Sequence, residues 1–222
     1  MKKSTYLITS SLAASAILLS SSAFAAQKTN QTEFGISVGS AVVGEAVDTA
    51  DGFDAFSVDD AVTFTAKHNL NRDVYLEGKY AKLDADSGDK DTPKNGTLDE
   101  LNQLELGLGL TIDTGNSIFN QVHVGAGYFK HGYEFEAADD TNAEGFYLKT
   151  GVDMKTAVKG LTVGGEYTYY SGTFRDEDDS DYKYGVATVK ADYKVNSAVS
   201  LTAAADFADS ESAARVGISY GF

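Results

Sequence analysis

The chain has 222 residues, no cysteine, one proline and 22 glycines, and a formal charge of −15. Without cysteine there is no disulfide framework and no thiolate ligand or nucleophile. The acidic balance excludes nucleic acid and bare anionic lipid as charge-driven partners, and past residue 25 no stretch approaches the roughly 18 consecutive apolar residues of a membrane helix.

At the N-terminus Lys2 and Lys3 precede a short apolar run from Tyr6 to Leu19, and Ala23-Phe24-Ala25 is a small-x-small cleavage site. That order is a secretory signal peptide; the apolar run is too short for an anchor and lacks positive charge on its far side. Residues 1–25 are therefore set apart from the fold, and residues 26–222 are expected to form one domain. The signal segment holds two of the 18 Lys and Arg and none of the 33 Asp and Glu, so the remainder carries −17.

From there the chain alternates with a period of two, the signature of strands with one apolar and one small or polar face. Strand one, Glu33 to Val42, sets Phe34, Ile36, Val38 and Val42 against Gly35, Ser37, Gly39 and Ala41. After an acidic loop, Val43 to Phe56, strand two runs from Ser57 to Lys67, turns at His68 to Arg72, and passes into strand three, Asp73 to Leu83. A second acidic connection, Asp84 to Asp99, contains the single proline, Pro93. Strand four alternates most cleanly, with Leu104, Leu106, Leu108, Leu110 and Ile112 against Gln103, Glu105, Gly107, Gly109 and Thr111.

The turn Asp113 to Ser117 leads to strand five, in which Val122, Val124, Ala126 and Tyr128 share a face, and Lys130 to Ala143 reads as loop. Strand six carries Phe146, Leu148, Val152 and Met154, and strand seven Leu161, Val163, Tyr167 and Tyr169, with a turn at Lys155 to Gly160. Another acidic loop spans Gly172 to Asp181. Strand eight, Tyr182 to Val195, changes phase: Val189, Ala191, Tyr193 and Val195 share one face, but Tyr182, Tyr184 and Val186 sit in the other, which suggests a bulge. Strand nine, Val199 to Phe207, and strand ten, Ser212 to Phe222, complete the chain.

Ten strands of about ten residues match a tilted membrane span, and only helices and closed barrels satisfy their backbone in lipid. The expected fold is all-β, a closed antiparallel transmembrane up-and-down barrel of ten strands, with eight as the runner-up. The long acidic loops fall after odd-numbered strands and so share one side. Alternation alone also fits a soluble barrel with its apolar face inward. The opposite sidedness is favoured because the second phase is rich in Gly, Ser, Thr and Ala, a poor coat toward water but suited to a crowded lumen. Tyr128, Tyr167 and Tyr169 also cluster at one strand end and Tyr193, Tyr220 and Phe222 at the other. No charge interrupts the apolar phase of strands four, seven, nine or ten, where one at mid-bilayer would cost about 2–4 kcal/mol.

The last strand ends on Phe222 with Tyr220 two positions earlier. This resembles the closing strand of bacterial outer-membrane β-barrels, and over its length after the signal the chain resembles the small OmpA-like and opacity-type members of that class. The resemblance implies an outer-membrane location and an assembly signal at Tyr220 and Phe222. It implies as partners outer-membrane lipid, lipopolysaccharide, the barrel-assembly machinery and host or surface ligands met by the acidic loops.

The lumen-facing phase is expected to hold a charge network of Glu77, Lys79, Glu105, Lys149, Glu166, Lys190, Asp206 and Arg215, with Lys67, His123, Asp153 and Asp192 in the same phase. Buried charges must pair or be wetted, and Arg215 with Asp206 is the expected pair. The bland reading is a structural plug; the sharper one is a narrow porin-type channel. An enzyme ranks third. His131 lies near the loop side with Asp139 and Asp140 beyond it, but the Asp-x-His spacing of omptin proteases is absent, and position 133 is Tyr where lipid A-modifying barrels have His-x-Ser. The run Asp84 to Asp91 resembles a calcium loop, with Gly88 where a ligand belongs; no metal site and no cofactor are expected. The resulting expectation is a non-enzymatic surface protein with a structural or adhesive role.

Overall fold

The computed structural model describes residues 31–44, 55–84, 91–92, 96–116, 118–135, 140–175, 181–209 and 211–222. The signal segment, the calcium-like run after Asp84 and the acidic block 176–180 lie outside them. Ten long strands form the wall: β1 (Thr32–Gly44), β2 (Ala55–Asn69), β3 (Val74–Asp84), β5 (Gly96–Asp113), β6 (Phe119–Phe135), β7 (Thr141–Lys155), β8 (Leu161–Phe174), β9 (Asp181–Lys194), β10 (Val199–Ala208) and β11 (Glu211–Gly221). β4 (Asp91–Thr92) is a two-residue ladder on the start of β5. Each wall strand pairs antiparallel with its sequence neighbours, and β1 pairs with β11 from Glu33↔Gly221 to Gly39↔Arg215, so the sheet closes.

Closure reaches the last residue. Thr32 N donates to Phe222 O at 3.0 Å and Phe222 N donates to Thr32 O at 2.9 Å. The Phe222 ring stacks on Phe34 at 5.9 Å. A terminal aromatic that would fray in water is thereby fixed at the seam.

The four tight turns are on one side, and their sequences explain them. Asn71 Oδ1 accepts from Asp73 N and Val74 N, Asn116 Oδ1 from Ile118 N and Phe119 N, and Asn196 Oδ1 from Ala198 N and Val199 N. Thr156 Oγ1 accepts from Val158 N in the fourth. These side chains mimic a backbone turn, and Gly115 supplies a left-handed residue (φ +68°) where one is needed.

Sidedness is apolar out. Leu104, Leu106, Leu108, Leu110 and Ile112 are 38–54% exposed, and Phe146 and Leu148 on β7 are more exposed still. In water such a continuous apolar surface is untenable; in lipid it is the wall's solvent-facing side. The belt has a sharp border toward the loops. Tyr80 donates to Asn102 Oδ1 and Tyr128 to Glu144 Oε2, each at 2.9 Å. Beyond them the outward phase turns charged, with Lys82 paired to Glu100 and Arg175 to Glu144. In this exposed collar the Glu144 carboxyl is held below its ordinary range, first by the Tyr128 hydroxyl, then by Arg175. The Lys82 ammonium is raised by its hydrogen bond to Glu100.

Three details depart from the alternation read along the chain. First, β5 and β6 run 18 and 17 residues. Gly96 to Asp99, Lys130 to Phe135 and Thr141 to Ala143 are ladder, not loop. Second, the β1–β2 register shifts between Gly39 and Ala41, so Val42, expected on the lipid face, is buried at 6% exposure. Third, β9 has no bulge: its pairing with β8 and β10 is continuous, and Tyr182, Tyr184 and Val186 point inward in phase with Lys190 and Asp192. Their inward faces meet other aromatic rings, not water, which is why apolar residues occupy the lumen phase there.

Candidate functional site: a lumen of two halves

The loop-side half of the lumen is filled. Phe129, His131 and Tyr133 from β6, Tyr147 from β7, Tyr170 and Phe174 from β8, and Tyr182 and Tyr184 from β9 point into it, joined by Val43, Leu83 and Leu101. Tyr170 stacks on Tyr184 at 4.6 Å with rings 8° apart, and Phe174 meets Tyr182 edge-on at 5.0 Å. Such pairs contribute about 0.5–1.5 kcal/mol each beyond area burial. Two of the polar ends are bonded inside the cluster. Tyr133 donates to the Gly44 carbonyl at 2.8 Å, and Tyr182 Oη lies 2.9 Å from His131 Nδ1. The end of β1 is thus tied across the barrel mouth.

The rings fit because the opposing strand carries glycine. A Cβ at Gly107 would stand 2.1 Å from the Tyr147 hydroxyl, and one at Gly109 would stand 2.1 Å from the Tyr75 ring. The glycines of the inward phase of β5 are room for tyrosines.

The turn-side half is polar, with Glu33, Thr65 and Lys67 exposed inside the wall. Between the halves runs a ladder of ion pairs. Lys79 Nζ lies 2.7 Å from Glu105 Oε1, and Tyr170 donates to the same oxygen at 2.9 Å. Lys149 pairs with Glu77, whose other oxygen accepts from Tyr147 at 2.9 Å. Arg215 pairs with Asp206, which also accepts from Thr188 at 2.6 Å. Lys190 lies 3.5 Å from Asp153, and His123 Nε2 is 3.0 Å from Glu166. Six of the eight residues expected in the network therefore pair among themselves, while Glu166 and Lys190 pair with His123 and Asp153. Tyr220 lies at the β1 seam, opposite Phe34. A cavity of about 310 Å³ borders the Lys79–Glu105, Lys149–Glu77 and Arg215–Asp206 pairs.

Alternation marked Glu77 and Lys149 as lumen residues, but not as partners, because β3 and β7 are not adjacent in the wall. Alternation puts Phe129, Tyr147 and Tyr170 in the lumen phase but misses the cluster they belong to, because His131, Tyr133 and Phe174 fall in segments read as loop and Tyr182 and Tyr184 in an ambiguous phase. His131, weighed as a rim catalytic residue, is wholly buried against Phe129, Tyr170, Tyr182 and Tyr184. Among the described residues no group of three His, Cys, Asp or Glu is arranged to hold a metal.

The sequence pattern of the family described as outer membrane protein beta-barrel domain matches residues 11–195. Among solved structures the chain is similar to the Ail attachment invasion locus protein of Yersinia pestis, at 13% identity over 87% of this chain and 99% of that one, with a TM-score of 0.36. It is similar to the KdgM porin in complex with disordered oligogalacturonate, at 15% identity over 86% and 99%, TM-score 0.44. It is also similar to the outer membrane protease OmpT of Escherichia coli, at 11% identity over 90% and 99%, TM-score 0.49. No curated protein matches the sequence.

Proposed function

The chain belongs to the family of outer membrane protein beta-barrel domains, and on that footing we propose that it is a non-conducting, non-enzymatic barrel acting at the cell surface. In this reading residues 1–25 direct export, the turns face the periplasm, and the charged collar and acidic connections face outward. They meet lipopolysaccharide and outer-membrane lipid at the collar and host or surface ligands beyond it. Tyr220 and Phe222 are what the barrel-assembly machinery reads.

The observation that carries the proposal is the filled loop-side lumen. Tyr133, Tyr147 and Tyr182 each have 2% exposure or less, and a hydrated ion would have to cross them. The same burial keeps any substrate from His131, which supports a non-enzymatic role. Purified protein in planar bilayers is expected to give no reproducible unitary steps. Stable steps would favour the second reading, a narrow porin, whose specific support is the polar cavity in the turn-side half.

A further inference from the structure

Three polar side chains of the lumen are buried without a protein partner. Thr63, Gln103 and Thr168 are 6%, 2% and 7% exposed, and among the described residues none of them makes a side-chain hydrogen bond. All three border the cavity of about 310 Å³, and their polar ends open on it. Buried hydroxyls and amides are ordinarily satisfied, so this wall offers unused donors and acceptors to whatever enters.

The strand register brings these groups together. Ser37 on β1 stands opposite Thr63 on β2, Thr63 opposite Ala81 on β3, and Ala81 opposite Gln103 on β5. Ser37 borders the cavity too. With neighbouring strands about 4.8 Å apart, Thr63 and Gln103 are about 10 Å apart at the backbone, and only the short Ala81 side chain stands between them. Thr168 is on β8, five strands from β2 in either direction round the wall, so its hydroxyl comes from the opposite side.

Charge and shape narrow the ligand. Five carboxylates and four cations border the cavity. Lys79–Glu105, Lys149–Glu77 and Arg215–Asp206 pair among themselves, so the wall favours neither an anion nor a cation. At the inner end stand Tyr147, Tyr170 and Tyr184. The Tyr147 and Tyr170 hydroxyls are donated to Glu77 and Glu105, which leaves ring surface for an apolar face. The volume is at the lower limit of ligand pockets, about 300–1,000 Å³. Glu33 and Lys67, exposed inside the wall, border the cavity toward the turns.

We propose that the cavity binds a small neutral polyol of monosaccharide size that enters from the turn side. Thr63, Gln103 and Thr168 hydrogen-bond its hydroxyls, and its C–H face packs on the tyrosine rings.

The test is ligand-observed saturation-transfer NMR on the full-length barrel folded in an amine-oxide detergent, which brings no sugar headgroup. It is titrated with D-glucose, with D-galactose and, separately, with sodium gluconate. Saturable binding of at least one hexose is expected, tighter than that of gluconate. Thr63→Val combined with Gln103→Leu should weaken it about tenfold or more, as loss of two hydrogen bonds does. The same double variant without sugar should unfold in urea no more readily than wild type, because neither side chain has a protein partner to lose. Lys130→Gln, exposed on β6, should bind as wild type. Heat-modifiable migration shows that each variant is folded. No saturable transfer to either hexose, equal affinity in the double variant, or gluconate bound as tightly as glucose overturns the proposal. The readout involves no bilayer, so its failure leaves the conductance result untouched.

Discussion

Replacing Tyr133, Tyr182 and Tyr184 together with Ala is expected to turn a silent barrel into one with reproducible unitary conductance. These three rings belong to the loop-side seal, and Tyr133 also ties the β1 end across the mouth through Gly44. Removing them leaves connected space where three rings stood and frees the β1 end. The wall does not depend on the rings for its hydrogen bonds, since β8, β9 and β10 pair continuously through their backbones. Each truncation of a buried aromatic costs about 3–5 kcal/mol where the site stays dry. Entry of water into an open polar lumen should reduce that cost. Heat-modifiable migration reports whether the variant is closed, and Tyr133→Ala alone is a milder version that should conduct intermittently. A folded triple variant that stays silent would place the barrier elsewhere.

The second large effect concerns Arg215 and Asp206. They sit on the inner face of the last hairpin, and Asp206 is 6% exposed. Arg215→Met leaves Asp206 with only Thr188. Removing one partner of a buried pair costs about 3–5 kcal/mol; water reaching the Arg215 position should bring the loss toward the lower end. Adding Asp206→Leu should restore most of the stability, because the loss reflects an uncompensated charge more than the worth of the pair. Urea unfolding in detergent, followed by band migration, measures both. Equal loss in the single and double variants would mean that packing, not charge, sets the cost.

What was legible follows from contrast between the two faces of each strand. Where oil lies outside and polar groups inside, as at Leu104 to Ile112, alternation gives the strand and its phase. Toward the loops the contrast inverts, with aromatic residues facing in and charged ones facing out. Phe129, His131 and Tyr133 point into an aromatic interior while Lys130 and Glu134 point out, so a continuing strand resembles a loop. The same inversion makes β9 look bulged, while a real irregularity, at Gly39, lies in a run of small residues that gives no sign of it. Among the charge pairs, Lys79–Glu105 and Arg215–Asp206 join adjacent strands and follow from order along the chain. Glu77–Lys149 crosses the lumen between β3 and β7, and needs the closed barrel to bring it together.

Because the chain lacks cysteine, single cysteines can report directly on which face meets water. In the protein reconstituted in lipid vesicles that admit the reagent to both sides, Thr65→Cys should react rapidly with a membrane-impermeant maleimide. Leu108→Cys, at a position 53% exposed in the bare protein, should remain unlabelled until the vesicles are dissolved and the chain unfolded. Rapid labelling at Leu108→Cys with protection at Thr65→Cys would mean a barrel with its apolar face inward, and would contradict the account.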